Sequence, residues 1–314
     1  MFAYGFALTS ESDSALTLRS VRRVAYWSVL ITVLFIARLQ ALAADTVYRI
    51  KPSTADPRVS RFDDANLIMF AAGGSQQRLF VYLPGTGGKP SSGSALLNVA
   101  TRSGYRAISL EYDNIPSVSE ACFDNSSPNC AAEVREKRVF GVDDTRLIDD
   151  LPAESIVQRL SSLLRRLAQD HPGEYWNKYL GSSDSPAWSR IVICGHSQGG
   201  GMAEYIAKRK SVARVVIFSG GWDGASQRFD SPGSRLAPWY AGISMTSSTR
   251  WYGAYHLKEK YARLIAESYQ VLGIPAANTR ILDGPTGVDG AFHATIIRDP
   301  VYLPDWRFLI GQSP

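Results

Sequence analysis

Short apolar runs alternate along the chain with stretches in which apolar positions recur at helical spacing. The runs Leu67 to Ala72, Leu79 to Leu83, Tyr105 to Tyr112, Ile191 to Cys194, Val215 to Ser219, Trp251 to Tyr255 and Thr279 to Leu282 predict strands. Between them, Ile156, Leu160, Leu163, Leu164 and Leu167 fall on one face of a predicted helix over Pro152 to Gln169. Pro152 suits its first turn and Pro172-Gly173 its end. Further helices are predicted to end over Asn98 to Ser103, to run over Met202 to Lys208, and to run over Leu257 to Leu272 with Gly273 as stop. The first two runs, separated by Gly73-Gly74-Ser75-Gln76-Gln77, read as a β-hairpin. Residues 113–150 read as polar and irregular, and 221–250 as a long connection, either a substrate wall or lid or an inert surface loop. Alternating strands and helices predict an α/β fold with a mostly parallel central sheet covered on both faces.

The N-terminal segment departs from this pattern. Arg19, Arg22 and Arg23 precede the apolar run Val24 to Ala37, and Ala41-Leu42-Ala43 follows. A basic region, a short apolar core and an A-x-A site describe a secretory signal peptide, cleaved after Ala43. Arg38 cuts the run short of the roughly 20 apolar residues a membrane span needs, which leaves an uncleaved anchor as the lesser alternative. The expected organisation is an extension and signal peptide over 1–43 and one domain over 44–314, exported to the periplasm or beyond.

Composition adds bounds rather than chemistry. At 314 residues, with 45% apolar and 20% charged positions, the chain can bury a full core in one large domain. The net charge is +5, of which residues 1–43 contribute +2, with four arginines against two acids. The remaining +3 is scattered, which argues against a nucleic-acid partner. Cys122 and Cys130 bracket a turn-rich stretch and suit a disulfide in an oxidising compartment. Cys194 lies inside a strand and reads as a buried free thiol. No cysteine pair has C-x-x-C spacing, so no metal site is expected.

The candidate chemistry sits at Gly195-His196-Ser197-Gln198-Gly199, between a strand and the helix that starts with Met202. A G-x-S-x-G turn in this context presents the serine hydroxyl clear of the backbone and places a helix N-terminus near a developing oxyanion. The motif resembles the nucleophile elbow of the α/β-hydrolase superfamily of serine esterases and lipases. That resemblance covers nearly all the chain after the N-terminal segment and implies the α/β-hydrolase fold, without naming a substrate.

A serine hydroxyl needs a base. The superfamily order Ser, acid, His puts the base after the last strand, which selects His293. His171 sits at a helix end, His196 points away from Ser197 by strand geometry, and His256 follows the penultimate strand. The triad acid is expected after that strand, where Glu259 is the next carboxylate; Asp223 is the alternative, with Asp283 and Asp289 behind it. The expected oxyanion donors are the backbone N–H groups of Gln198 and of Thr86, in Pro84-Gly85-Thr86-Gly87-Gly88. That loop lacks the Gly-Lys-Ser/Thr ending of a phosphate-binding loop. The expected activity is hydrolysis of a small-molecule carboxylic ester, with thioesters and amides as chemical neighbours, without cofactor or metal. A binding protein of the same fold that lacks turnover is the alternative.

Overall fold

Strands form where the sequence carries runs that are apolar on both faces. In the computed structural model they are β1 (Asp45–Ile50), β2 (Asn66–Ala71), β3 (Leu79–Leu83), β4 (Arg106–Ser109), β5 (Ile191–His196), β6 (Arg214–Phe218), β7 (Trp251–His256) and β8 (Thr279–Leu282). The longer helices are α1 (Ser94–Arg102), α2 (Cys130–Phe140), α3 (Ile156–Asp170), α4 (Gln198–Arg209), α5 (Ala262–Val271) and α6 (Leu303–Ile310). The structure describes Met1 and residues 45–71, 77–142, 144–224, 235–284 and 291–312. The expected signal segment and its cleavage site at Ala43 lie outside the described residues. Contacts gather Asp45–Pro314 into one compact unit.

The eight strands join one sheet in the order β1-β2-β4-β3-β5-β6-β7-β8. β1 and β2 pair antiparallel, as do β2 and β4, while every later pair is parallel. Alternate residues of the central strands feed two cores. Leu79, Val81, Ile191, Ile193, Val215 and Ile217 face one cluster, which α3 closes with Leu160, Leu163, Leu164 and Leu167. Phe80, Tyr82, Val192, Cys194, Val216 and Phe218 face the other, which α1 and α6 close with Leu96, Leu97, Leu309 and Ile310. Burial on both faces is why these strands read as unbroken apolar runs. This is the mostly parallel sheet with helices on both faces that the alternating pattern predicts.

The hairpin expectation fails. β2 and β3 run in opposite directions, as hairpin strands would, but β4 is inserted between them. Local turn signals fix a chain reversal, not the partner. β3 is buried along its whole length and takes a parallel neighbour on each side. The stretch 113–150 is also more regular than expected, because α2 lies inside it. α3 starts at Ile156 after a 3-10 turn over Pro152–Glu154, and its N-cap Ser155 accepts from the Gln158 N–H. No described helix is long and apolar enough to cross a membrane.

Cys122 and Cys130 form the expected disulfide, with 5.9 Å between their Cα atoms, and Cys194 is a buried free thiol. The bridge closes a short loop, with a sequence separation of 8. Loop-closure entropy for that length corresponds to about 2–3 kcal/mol. We expect the Cys122→Ser/Cys130→Ser double variant to unfold at lower urea by that amount, and the reduced parent to match it. Coincident curves for parent and double variant would show that the bridge does not stabilise the fold.

Candidate active site

The parallel strands β3, β5, β6, β7 and β8 end along one edge of the sheet, and the candidate residues gather just beyond those ends. Ser197 follows β5 directly, with φ 56° and ψ −124°, a backbone conformation that costs a non-glycine residue on the order of 1–3 kcal/mol. Its N–H donates to the Phe218 carbonyl at 2.9 Å, and its carbonyl accepts from Gly201 N–H at 3.1 Å. The turn is possible because backbone meets backbone there. A Cβ on Gly199 would stand 2.1 Å from the Leu83 carbonyl oxygen.

Glu259 lies after β7, and its side chain is 1% exposed. Its Oε1 accepts from Ser219 Oγ at 2.6 Å and from His256 N–H at 2.7 Å. Its Oε2 is 2.7 Å from His293 Nδ1. The carboxylate is thus held from two sides and presents one oxygen to the imidazole. A proton on Nδ1 in that contact leaves Nε2 with a free lone pair, the form in which an imidazole acts as a base. Ser219, at φ 47°, is a second residue with a left-handed backbone. Sequence reasoning missed it; the only signal was its place directly after an apolar run and before Gly220-Gly221.

His293 follows β8 in the helical turn Phe292–Thr295. Its ring lies 4.7 Å from that of His196 and 5.5 Å, edge to face, from that of Trp222. Among the described residues no hydrogen bond joins Ser197 Oγ to the His293 imidazole. Such bonds are often long without substrate and shorten in the reacting complex.

The other candidates are committed elsewhere. Both oxygens of Asp223 take the Arg135 guanidinium at 2.6 Å, and Oδ2 also accepts from Trp239 Nε1. Burial works to lower the Arg135 pKa, but the Asp223 carboxylate overcomes it and holds the value above the usual one. Asp283 is exposed, and Asp289 lies outside the described residues. His256 is fully buried, with Nε2 on the Gly284 carbonyl and its ring stacked on Phe292. His171 caps the C-terminus of α3 and stacks on Tyr48.

After β3, the loop from Pro84 reaches the elbow. A Cβ on Gly85 would stand 3.0 Å from the Ser197 Cβ. Thr86, Ser197 and Gln198 together line a cavity of about 220 Å³. Its other walls include Val118 and Phe123, both cysteines of the disulfide, and Trp222. The connection after β6 therefore walls this cavity over Gly221–Gly224; its residues 225–234 lie outside the described ones. Among the described residues, no group of three or more His, Cys, Asp or Glu could hold a metal ion.

No family model matches the sequence, and no curated protein matches it. Solved structures of similar shape include carboxyl esterase 2 from Tuber melanosporum, 11% identical over 85% of this chain and 88% of that one, with a TM-score of 0.46. A bacterial heroin esterase is 15% identical over 90% and 88%, at 0.44. S-formylglutathione hydrolase from Staphylococcus aureus is 10% identical over 86% and 98%, also at 0.44. At these identities and scores the likenesses carry no activity or substrate to this chain.

His196, inside the elbow, generates a pH prediction. Its Nε2 meets the His293 carbonyl at 2.8 Å. Burial, with a smaller contribution from the His293 ring, pushes its pKa down to about 3. A folded pKa below the unfolded one gives stability that is present above about pH 6.5 and lost as pH falls toward 3. From pH 7 to pH 5 this group alone should remove about 2 kcal/mol. Urea unfolding of the parent and of His196→Asn at both pH values checks it: the variant should lose less on acidification. Parallel losses would show that His196 is not the group being charged.

Proposed function

We propose that this chain is a secreted serine hydrolase that cleaves a carboxylic ester through Ser197, His293 and Glu259. The observation that carries the reading is the 2.7 Å contact of His293 Nδ1 with the buried Glu259 carboxylate, in the company of a serine at φ 56°. In this reading Nε2 of His293 takes the Ser197 proton as Oγ bonds to the acyl carbon. The backbone N–H groups of Gln198 and Thr86 hold the oxyanion. The imidazolium then gives its proton to the departing alcohol, and Glu259 stabilises the cation meanwhile. A water, deprotonated by the same imidazole, attacks the acyl carbon; as the acyl–Oγ bond breaks, the imidazolium returns that proton to Ser197 Oγ and the acid leaves. Apart from that water, each step uses side chains and backbone of this chain. The cavity of about 220 Å³ beside Ser197 suits a small acyl group, as in an ester, a thioester or an amide.

Export is the second part of the proposal. It is supported by the basic-then-apolar segment ending at Ala43 and by the Cys122–Cys130 bridge, which persists in an oxidising compartment. The domain over 44–314 would then be the mature enzyme. A binding protein of this fold without turnover is the competing reading, and the missing Ser197–His293 hydrogen bond is the observation that favours it.

Fluorophosphonate labelling separates the two. We expect the parent to be labelled, and Ser197→Ala and His293→Ala to resist labelling. Glu259→Gln should be slowed on the order of 10⁴-fold in ester turnover. The reason is local. Ser219 Oγ–H and His256 N–H both need an acceptor at Oε1, so the new amide must turn its NH₂ toward His293 Nδ1. That forces Nδ1 to accept and moves the imidazole proton to Nε2, the wrong tautomer for a base. A folded parent that stays unlabelled and turns over no ester would favour the binding protein.

A further inference from the structure

The two N–H groups assigned to the oxyanion lie on different strands' ends and must keep a fixed separation to act together. Gln198 begins α4, whereas Thr86 sits in an exposed loop after β3. Asn114 bonds to both. Asn114 is 2% exposed and lies in neither segment. Its main-chain carbonyl accepts from Gln198 Nε2 at 2.7 Å. Its side chain closes on the other loop: Oδ1 accepts from Gly87 N–H at 3.1 Å, and Nδ2 donates to the Gly88 carbonyl at 2.8 Å.

These bonds clamp the turn around Thr86. Gly88 N–H donates to the Gly85 carbonyl at 2.9 Å, which closes a four-residue turn with Thr86 and Gly87 at its centre. Gly87 sits at φ 66°, as the third position of such a turn can require. The Tyr112 phenol OH donates to the Pro84 carbonyl at 2.6 Å just before it. None of these bonds uses the Thr86 N–H. On the other side, Gln198 Oε1 accepts from Val118 N–H at 2.8 Å, so the Gln198 side chain is fixed at both ends of its amide.

We propose that Asn114 is the positioning residue of the oxyanion hole: it sets the distance between the Thr86 and Gln198 N–H groups through one side-chain clamp and one main-chain bond. The proposal rests on the reading of Ser197 as nucleophile. Asn114 touches neither substrate nor the reacting atoms; it acts through the loop that does. Its amide is the side chain the clamp requires, because one oxygen must accept from Gly87 while one nitrogen donates to Gly88. Aspartate has the same shape but sets a second oxygen against the Gly88 carbonyl.

The test compares the parent, Asn114→Asp, Gln198→Met and the double variant on a short-chain nitrophenyl ester, with active sites counted by fluorophosphonate. Gln198→Met keeps the backbone N–H and removes the tie to Asn114 together with the bond from Val118 N–H, so it carries the test where Asn114→Asp folds poorly. Each single variant should lose about 10- to 100-fold in kcat per labelled site, with KM within about twofold, as loss of an interaction made only in the transition state requires. Affinity for a trifluoromethyl ketone, which forms a tetrahedral adduct, should fall by the same factor. The double variant should lose little more than the worse single one, because both cut one tether. A merely structural role would lower the melting temperature and the labelled fraction but leave kcat per labelled site unchanged; that result overturns the proposal and leaves the triad standing. A folded parent that neither labels nor turns over ester overturns the nucleophile reading and this proposal with it.

Discussion

Everything at the candidate site depends on one strained peptide unit. Ser197 holds φ 56° only because three pieces of backbone crowd around it: the Phe218 carbonyl binds its N–H, Gly201 N–H binds its carbonyl, and Gly199 packs against the Leu83 carbonyl. These contacts come from β3, β6 and the first turn of α4, at the centre of the sheet. The strain of about 1–3 kcal/mol is small beside the burial of five neighbouring strands' side chains, so the sheet can hold it permanently. The consequence is geometric. The hydroxyl stands off the sheet edge, and the first N–H groups of α4, which have no partner within the helix, open toward the same space.

The second strained serine holds Glu259. Ser219 ends β6 as Ser197 ends β5, also at positive φ, and its hydroxyl reaches the Glu259 carboxylate at 2.6 Å. Together with His256 N–H it fixes Oε1, so that the only freedom left to Oε2 is the contact with His293. A glutamate has one more rotatable bond than an aspartate. Two donors on one oxygen remove the rotamer freedom that the longer side chain would otherwise lose on binding the imidazole. Glu259 can therefore stand where a shorter acid would be expected.

The strands of the sheet's centre and the residues at their ends were legible, and the reason is physical. A strand buried on both faces has to be apolar at every position, so Leu79 to Leu83, Ile191 to Cys194 and Val215 to Phe218 announce themselves. Chain order then assigns the loops after them. Strand partners were not legible: β2 and β3 satisfy every local rule for a hairpin and still admit β4 between them. β1 escaped notice because Asp45–Ile50 is an edge strand, with Val47 exposed and Arg49 in its run. Glu259 was legible only as one candidate carboxylate among four, since its contact with His293 is set by Ser219 and His256, residues distant or silent in the sequence pattern.

The stretch 113–150 shows the same limit most clearly, because its burial is polar. In α2, Arg135 and Arg138 are as buried as Val134 and Val139. Arg135 is neutralised by Asp223 and Arg138 by Asp150, so both turn inward where a hydropathy pattern places them in water. Next to Arg135, α4 buries Glu204, whose carboxyl has no hydrogen-bond partner among the described residues and whose pKa burial pushes well above the carboxylate range. A neutral carboxyl there costs less than a lone charge would. This polar layer joins α2, α4 and the segment carrying Trp222, and those same elements wall the cavity next to Ser197. Apolar periodicity therefore reads the scaffold that holds Ser197 but is blind to the part that walls the cavity beside it. That division follows from the energetics: a β-sheet is specified by what it excludes from water, whereas α2 beside this cavity is fixed by pairs of charges whose partners lie 88 and 12 residues apart.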